Sequence, residues 1–385
     1  MKLDLSGEDL TTLQGIDFSD NVTELILDDN LLTSLQGCPP NLQKLDCSNN
    51  QLNSLEHCPE NLQKLDCSNN QLTSLEHCPE NLQELDCGIN QLTSLEHCPQ
   101  SLIHLSCYDN QLTSLQYCPT NLQYLICNNN LISSFQYCPT SIKELSLSHN
   151  LLTSLQYCPE NVHILICDYN QLTSLQYCPD NLQELNCSGN QLTSLQYCPK
   201  DVKKLNCNNN QLTSLLYCPQ GIQKLYCGYN QLTSLQYCPR NLQDLYCEVN
   251  KITSLQYCPQ GIPKLYCGYN QLTSIQYCPR NLQDLYCQVN KITSLQYCPR
   301  NIKNLYTFQN PLMIEYANKE IKEINFINLQ KLEQGLNIVN KLIKNQKSRM
   351  IQRCWDNYWY RPNEKGISRH AVRGIQNWKE MKLKQ

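Results

Sequence analysis

The chain has 385 residues, a formal net charge of −4 and 27 cysteines. No apolar run reaches the roughly eighteen residues of a membrane-spanning helix, and no C-x-x-C pair supplies the usual zinc spacing. The opening MKLDLSGEDL lacks the basic start and apolar core of a secretory signal, so the expected setting is intracellular and reducing, where structural disulfides are rare.

Residues 1–20 carry Leu3, Leu5, Leu10 and Leu13 on a leucine frame, but Glu8 stands where later units have asparagine and two extra residues precede Asn21. They are expected to form a degenerate, acidic cap turn. From 21 to 312 one twenty-residue unit recurs, with asparagine at Asn30 and every twentieth position to Asn310, fifteen in all. The unit reads L-x-x-L-x-C-x-x-N-x-L-x-S-L-x-x-C-P, as in Leu42, Leu45, Cys47, Asn50, Leu52, Leu55 and Cys58. A single turn of this kind cannot bury its leucines, so turns stack, one strand each, about 4.8 Å apart in a parallel sheet. An inward asparagine has both an amide and a carbonyl with which to pair loop backbone groups left open by the bend. Twenty residues leave no room for a helix between Leu52 and Leu62, so extended or polyproline-like backbone, with Pro39, Pro59 and onward to Pro299, is expected there.

This unit resembles the leucine-rich repeat, and in its brevity the repeats of bacterial type III secretion effectors, L-x-x-L-P-x-L-P-x-x-L-x-x-L-x-V-x-x-N. Leu52, Leu55, Pro59, Leu62, Leu65 and Asn70 fall on that pattern, which extends over residues 20–310; Glu56 replaces the first proline, Cys58 a leucine and Cys67 the valine. The resemblance implies a curved repeat solenoid with its parallel β-sheet on the concave face, followed by a small α-helical region. The asparagine-rich, lysine-containing text also resembles leucine-rich-repeat proteins of giant DNA viruses of amoebae.

By the resemblance to the effector repeats both cysteine columns fall on inward apolar positions, where a free thiol acts as a small hydrophobe, and for the Cys58 column the assignment rests on that resemblance. Leu27 and Leu147 occupy the Cys47 column in other turns, which a metal ligand or disulfide partner would not tolerate. No metal or cofactor is therefore expected. His57, His77 and His97 occupy a column that later holds Tyr117 to Tyr297. A column of stacked rings on the convex surface is the simpler reading, with metal binding as its alternative.

Residues 313–385 read as basic and helical. Ile321, Ile324, Ile327, Leu332, Leu336, Val339 and Ile343 recur near helical spacing, and the first helix is expected to lie on the last repeat as a lid. Further on, Ile351-Gln352 with Arg361 looks like a degenerate calmodulin-binding IQ motif, with Asp356 and Asn357 departing from it. Ile351, Gln352, Trp355, Trp359 and Arg361 would serve an acidic or calmodulin-like partner, or form the inner face of a cap. Cys354-Trp355-Asp356 matches the C-x-D motif that the resemblance to ubiquitin-ligase effectors brings to mind, but the tail is far shorter than those catalytic domains.

Charge divides the chain into a net −15 over residues 1–110, +3 over 111–310 and +8 over 311–385. The acidic first part argues against nucleic acid along the whole concave face. The basic tail suits an acidic protein, RNA or an anionic lipid surface.

Lys44, Asp46 and Ser48 are expected to face outward from the strand. Down the array the Asp46 column runs through Asp66 and Asp86 and ends in Tyr226, Tyr246, Tyr266, Tyr286 and Tyr306, with Tyr229 and Tyr269 beside it. An aromatic strip of this kind fits a protein partner, and equally a cross-strand stack that stabilises the sheet. The expected function is a non-enzymatic protein-interaction scaffold with a protein partner on the concave face, no catalytic residues and no small-molecule substrate. An effector-like enzyme with a catalytic tail is its alternative.

Overall fold

The computed structural model describes residues 1–312, 316 and 319–344. Sixteen three-residue strands form one parallel sheet in chain order, beginning with β1 (Lys2–Asp4), β2 (Glu24–Ile26) and β3 (Lys44–Asp46) and ending with β16 (Asn304–Tyr306). From β2 onward each residue pairs with the one twenty positions later, so Leu45 lies beside Leu65 and Tyr246 beside Tyr266. Between β1 and β2 the step is Lys2 to Glu24, which absorbs the two extra residues of the first turn. In each repeat strand the central leucine points inward, as period-two alternation requires.

The core is a stack of identical layers. Leu42, Leu52, Leu55 and their equivalents are fully buried, as is the Cys47 column, in which Leu27 and Leu147 are accommodated equally well. No described cysteine forms a disulfide; several of the Cys47-column thiols donate instead to the next turn, as from Cys47 Sγ to the Asp66 carbonyl at 3.3 Å. The Cys58 column lies at the core boundary, with Cys38 and Cys178 slightly more open.

The asparagines carry the loops. Asn50 Nδ2 donates to the carbonyls of Leu27 at 2.9 Å and Ser48 at 2.9 Å, while its Oδ1 accepts from the Leu32 N–H at 2.9 Å. Both Leu27 and Leu32 belong to the preceding turn. On the outer side each turn closes through a four-residue turn, Cys58 N–H to Leu55 carbonyl at 2.9 Å, whose third residue has positive φ from Gly15 through Tyr237. Backbone without helix flanks it on either side.

At the C-terminal end α1 (Ile321–Lys344) lies on the last turn as the sequence predicts. Ile324 is buried and Ile321 and Ile327 pack on the same core. Asn328 Nδ2 donates to the Leu295 carbonyl at 3.0 Å, and its Oδ1 accepts from the hydroxyl of buried Tyr316 at 3.0 Å. Glu323 accepts from the Glu320 N–H at 3.0 Å, pairing an open donor at the helix start.

Candidate interaction surface

The strand face divides into an acidic and an aromatic part. In the first part Asp46, Asp66 and Asp86 stand in register on adjacent strands. Asp46 Oδ1 accepts from the Ser48 N–H at 3.0 Å and the Ser48 hydroxyl at 2.7 Å, and Asp66 is held by Ser68 in the same way. Ser48 thus folds back and is buried, contrary to the outward position expected of it. Partial burial, reinforced by the like charges of Asp66 and Asp46, raises the Asp86 carboxyl above its ordinary value. Burial together with Asp46 does the same at Asp28, a neighbour that the column reading missed. Asp46, Asp66 and Asp86 line a groove of about 390 Å³ that continues through Lys64, Glu84 and His104 to exposed Ile126. Across it Lys64 and Glu84 pair at 2.5 Å, and His104 stacks on Tyr124 with centroids 4.2 Å apart.

In the last part Tyr226, Tyr246, Tyr266, Tyr286 and Tyr306 form one continuous stack. Successive centroids are 4.5, 4.3, 4.3 and 4.6 Å apart, and the planes lie within 14°. A parallel register puts equivalent side chains one strand spacing apart, which is close to ring thickness plus a small offset. The first four rings are consequently half-buried rather than exposed, presenting edges and hydroxyls, while terminal Tyr306 is exposed. Burial, with Tyr266 and Tyr226 as neighbours, pushes the Tyr246 phenol up, so it stays protonated and able to donate. Tyr229 and Tyr269 lie outside the stack, exposed and at φ of 50° and 54°.

Beside the tyrosines is a feature that column reading missed. The Glu248 carboxyl lies over Gly228, where an added Cβ would meet it at 3.1 Å, and Gln288 lies over Gly268 likewise. Glu248 Oε2 and Gln288 Oε1 are buried without a hydrogen-bond partner, and burial raises the Glu248 carboxyl above its usual range. The alternation of glycine and a long polar residue in that column was the available signal.

His57, His77 and His97 sit at the third position of the outer turns, at φ of 64° to 66°. The tyrosines that follow are individually exposed from Tyr117 to Tyr277, Tyr297 packs partly buried on the core, and among the described residues the stacked ring pairs lie on the strand side rather than in this column. The expected convex ring stack is therefore not formed: a turn that projects each ring outward does not bring neighbours into register. The tail residues Ile351, Gln352, Cys354, Trp355, Trp359 and Arg361 lie outside the described residues. No described helix is long and apolar enough to cross a membrane.

The family model described as Leucine Rich repeats (2 copies) matches residues 60–98. No curated protein matches the chain by sequence. Among solved structures, YopM from Yersinia enterocolitica is similar at 30% identity and TM-score 0.66, over 76% of this chain and 69% of its own. The functional domain of InlJ from Listeria monocytogenes, described as including a cysteine ladder, is similar at 26% identity and TM-score 0.63, over 78% and 70% of the two chains. A leucine-rich-repeat protein of Leptospira interrogans is similar at 26% identity and TM-score 0.69, over 84% and 92%. With one strand per twenty-residue turn, an asparagine ladder and these likenesses, the chain belongs to the leucine-rich-repeat family.

Proposed function

We propose that the chain is a non-enzymatic scaffold that takes a protein partner on the aromatic part of its strand face. The observation that supports this reading is the five-tyrosine stack, which lines up hydroxyls one strand spacing apart on a rigid sheet. Rigid aromatic residues combine apolar contact area with a hydrogen-bonding tip at little entropic cost, which is why interfaces are enriched in them. The acidic row at the other end steers association and selects for a partner with basic character there. An intracellular setting suits so many free thiols.

The test is affinity capture followed by quantitative binding of the captured partner. Tyr246→Ser, Tyr266→Ser and Tyr286→Ser combined are expected to weaken binding at least tenfold. Asp46→Asn, Asp66→Asn and Asp86→Asn combined are expected to slow association and flatten its salt dependence.

A further inference from the structure

A second surface, on the outer side away from the strand face, carries its own pattern. Most outer four-residue turns have positive φ at their third residue, and Gly15 and Gly37 supply it in the first turns at φ of 88° and 97°. Later turns put tyrosine in that slot, at φ of 67° to 70° from Tyr117 to Tyr237. This is the left-handed region, which disfavours any side chain with a Cβ. These rings gain little burial in exchange, at 49% to 63% exposed from Tyr117 to Tyr237, and Tyr257 and Tyr277 in the same column are 50% and 45% exposed. Folding alone therefore does not account for them.

Three positions further along each turn lies an exposed column whose charge reverses along the array. It holds Glu60, Glu80, Glu160 and Asp180, then Lys200, Arg240, Arg280 and Arg300. It adjoins the tyrosines, since Gln220 Nε2 and Gln260 Nε2 donate to the carbonyls of Tyr237 and Tyr277 at 3.2 Å. The reversal is centred: Glu60 and Arg300, Glu80 and Arg280, Glu160 and Lys200 each lie equally far on either side of residue 180. Among the described residues Glu60, Glu80, Glu160, Lys200 and Arg300 make no ion pair within the chain.

We propose that this outer edge is a self-association surface, where a second copy of the chain docks antiparallel about a two-fold axis through the turn of Asp180. Such an axis exchanges the ends of the solenoid, so each acidic position named above meets its basic counterpart twice in the dimer. Asp180 meets its own copy, the one repulsive contact in the register. The tyrosines supply the area: nine rings of about 200 Å², half exposed, offer about 900 Å² per copy, within the range of stable interfaces. The charges supply the register and the rejection of parallel pairing. Arg240 lies opposite Thr120 and stays without an acidic counterpart, but an unrelated partner would not require the three complementary pairs to be centred on one turn, and the strand face stays open in this dimer.

Sedimentation equilibrium of the full chain under reducing conditions tests it by charge exchange. The unaltered chain is expected to sediment as a dimer. Glu60→Arg with Glu80→Arg, and separately Arg280→Glu with Arg300→Glu, are each expected to sediment as monomers, because like charges then face one another. An equimolar mixture of the two variants is expected to recover the dimer mass, and Asp180→Asn is expected to tighten the original dimer. These side chains are exposed, and circular dichroism checks that each variant keeps the fold. A monomeric unaltered chain, a variant that stays dimeric alone, or a mixture that stays monomeric would overturn the proposal.

Discussion

The Asn50 side chain reaches back twenty-three residues to the Leu27 carbonyl, at 2.9 Å, and so completes the turn before its own. The same arrangement links Asn310 to Cys287 at 2.9 Å at the far end of the ladder. In the first turn Glu8 stands in place of the asparagine, and its side chain is exposed. Replacing Asn170 with alanine strands the Leu147 carbonyl and the Leu152 N–H, bonded now at 2.8 and 2.9 Å. Urea unfolding is expected to show a loss of about 2–4 kcal/mol, since each buried group left unpaired costs about 1–3 kcal/mol. Glu8→Asn is expected to stay within about 0.5 kcal/mol of the original.

Burial governs the thiols. It pushes Cys198 and Cys38 up to about 12, and drives the fully enclosed Cys47 and Cys67 well above the ordinary range. With almost no thiolate at neutral pH, the folded array is expected to react slowly with a thiol reagent. Denaturation without reductant should then release 27 titratable thiols. A large shortfall would mean that the columns are cross-linked.

Glu248 gives the aromatic end a pH dependence. Its folded-state value is raised by burial, so its contribution to stability is fully present below the ordinary glutamate value and is lost as pH rises through the raised one. The duplicated block already carries the neutral isostere at Gln288. Glu248→Gln is therefore expected to unfold at a higher temperature than the parent at neutral pH, with the difference vanishing under acid conditions where both side chains are uncharged. Thermal unfolding of the pair across that pH range is the check, and parallel curves at all pH values would refute the assignment.

Most of the architecture was legible in the sequence because the repeat reports burial directly: Leu42, Leu52 and Asn50 recur at fixed spacing, and the structure stacks them in that order. Departures were less transparent. Ser48 alternates outward on paper, yet its hydroxyl finds Asp46 and turns it inward. The tyrosine column was visible, but the half-burial of its rings follows from rotamers and sheet spacing that no residue pattern encodes. Positive φ at Tyr117 and its equivalents is hidden by the residue type; only Gly15 and Gly37 in the same slot betray it.

The central claim is that the stacked tyrosines of the strand face, and not the exposed tyrosines of the outer turns, hold the protein partner. The most direct measurement compares partner affinity for the Tyr246→Ser, Tyr266→Ser, Tyr286→Ser variant with that for Tyr137→Ser, Tyr157→Ser, Tyr177→Ser. Losing cross-strand ring pairs costs the first variant stability of about 1–2 kcal/mol, so both are compared at a temperature where each is folded. The account predicts at least a tenfold loss of affinity for the strand-face variant and unchanged affinity for the outer-face variant. Undiminished binding by the folded strand-face variant would contradict it.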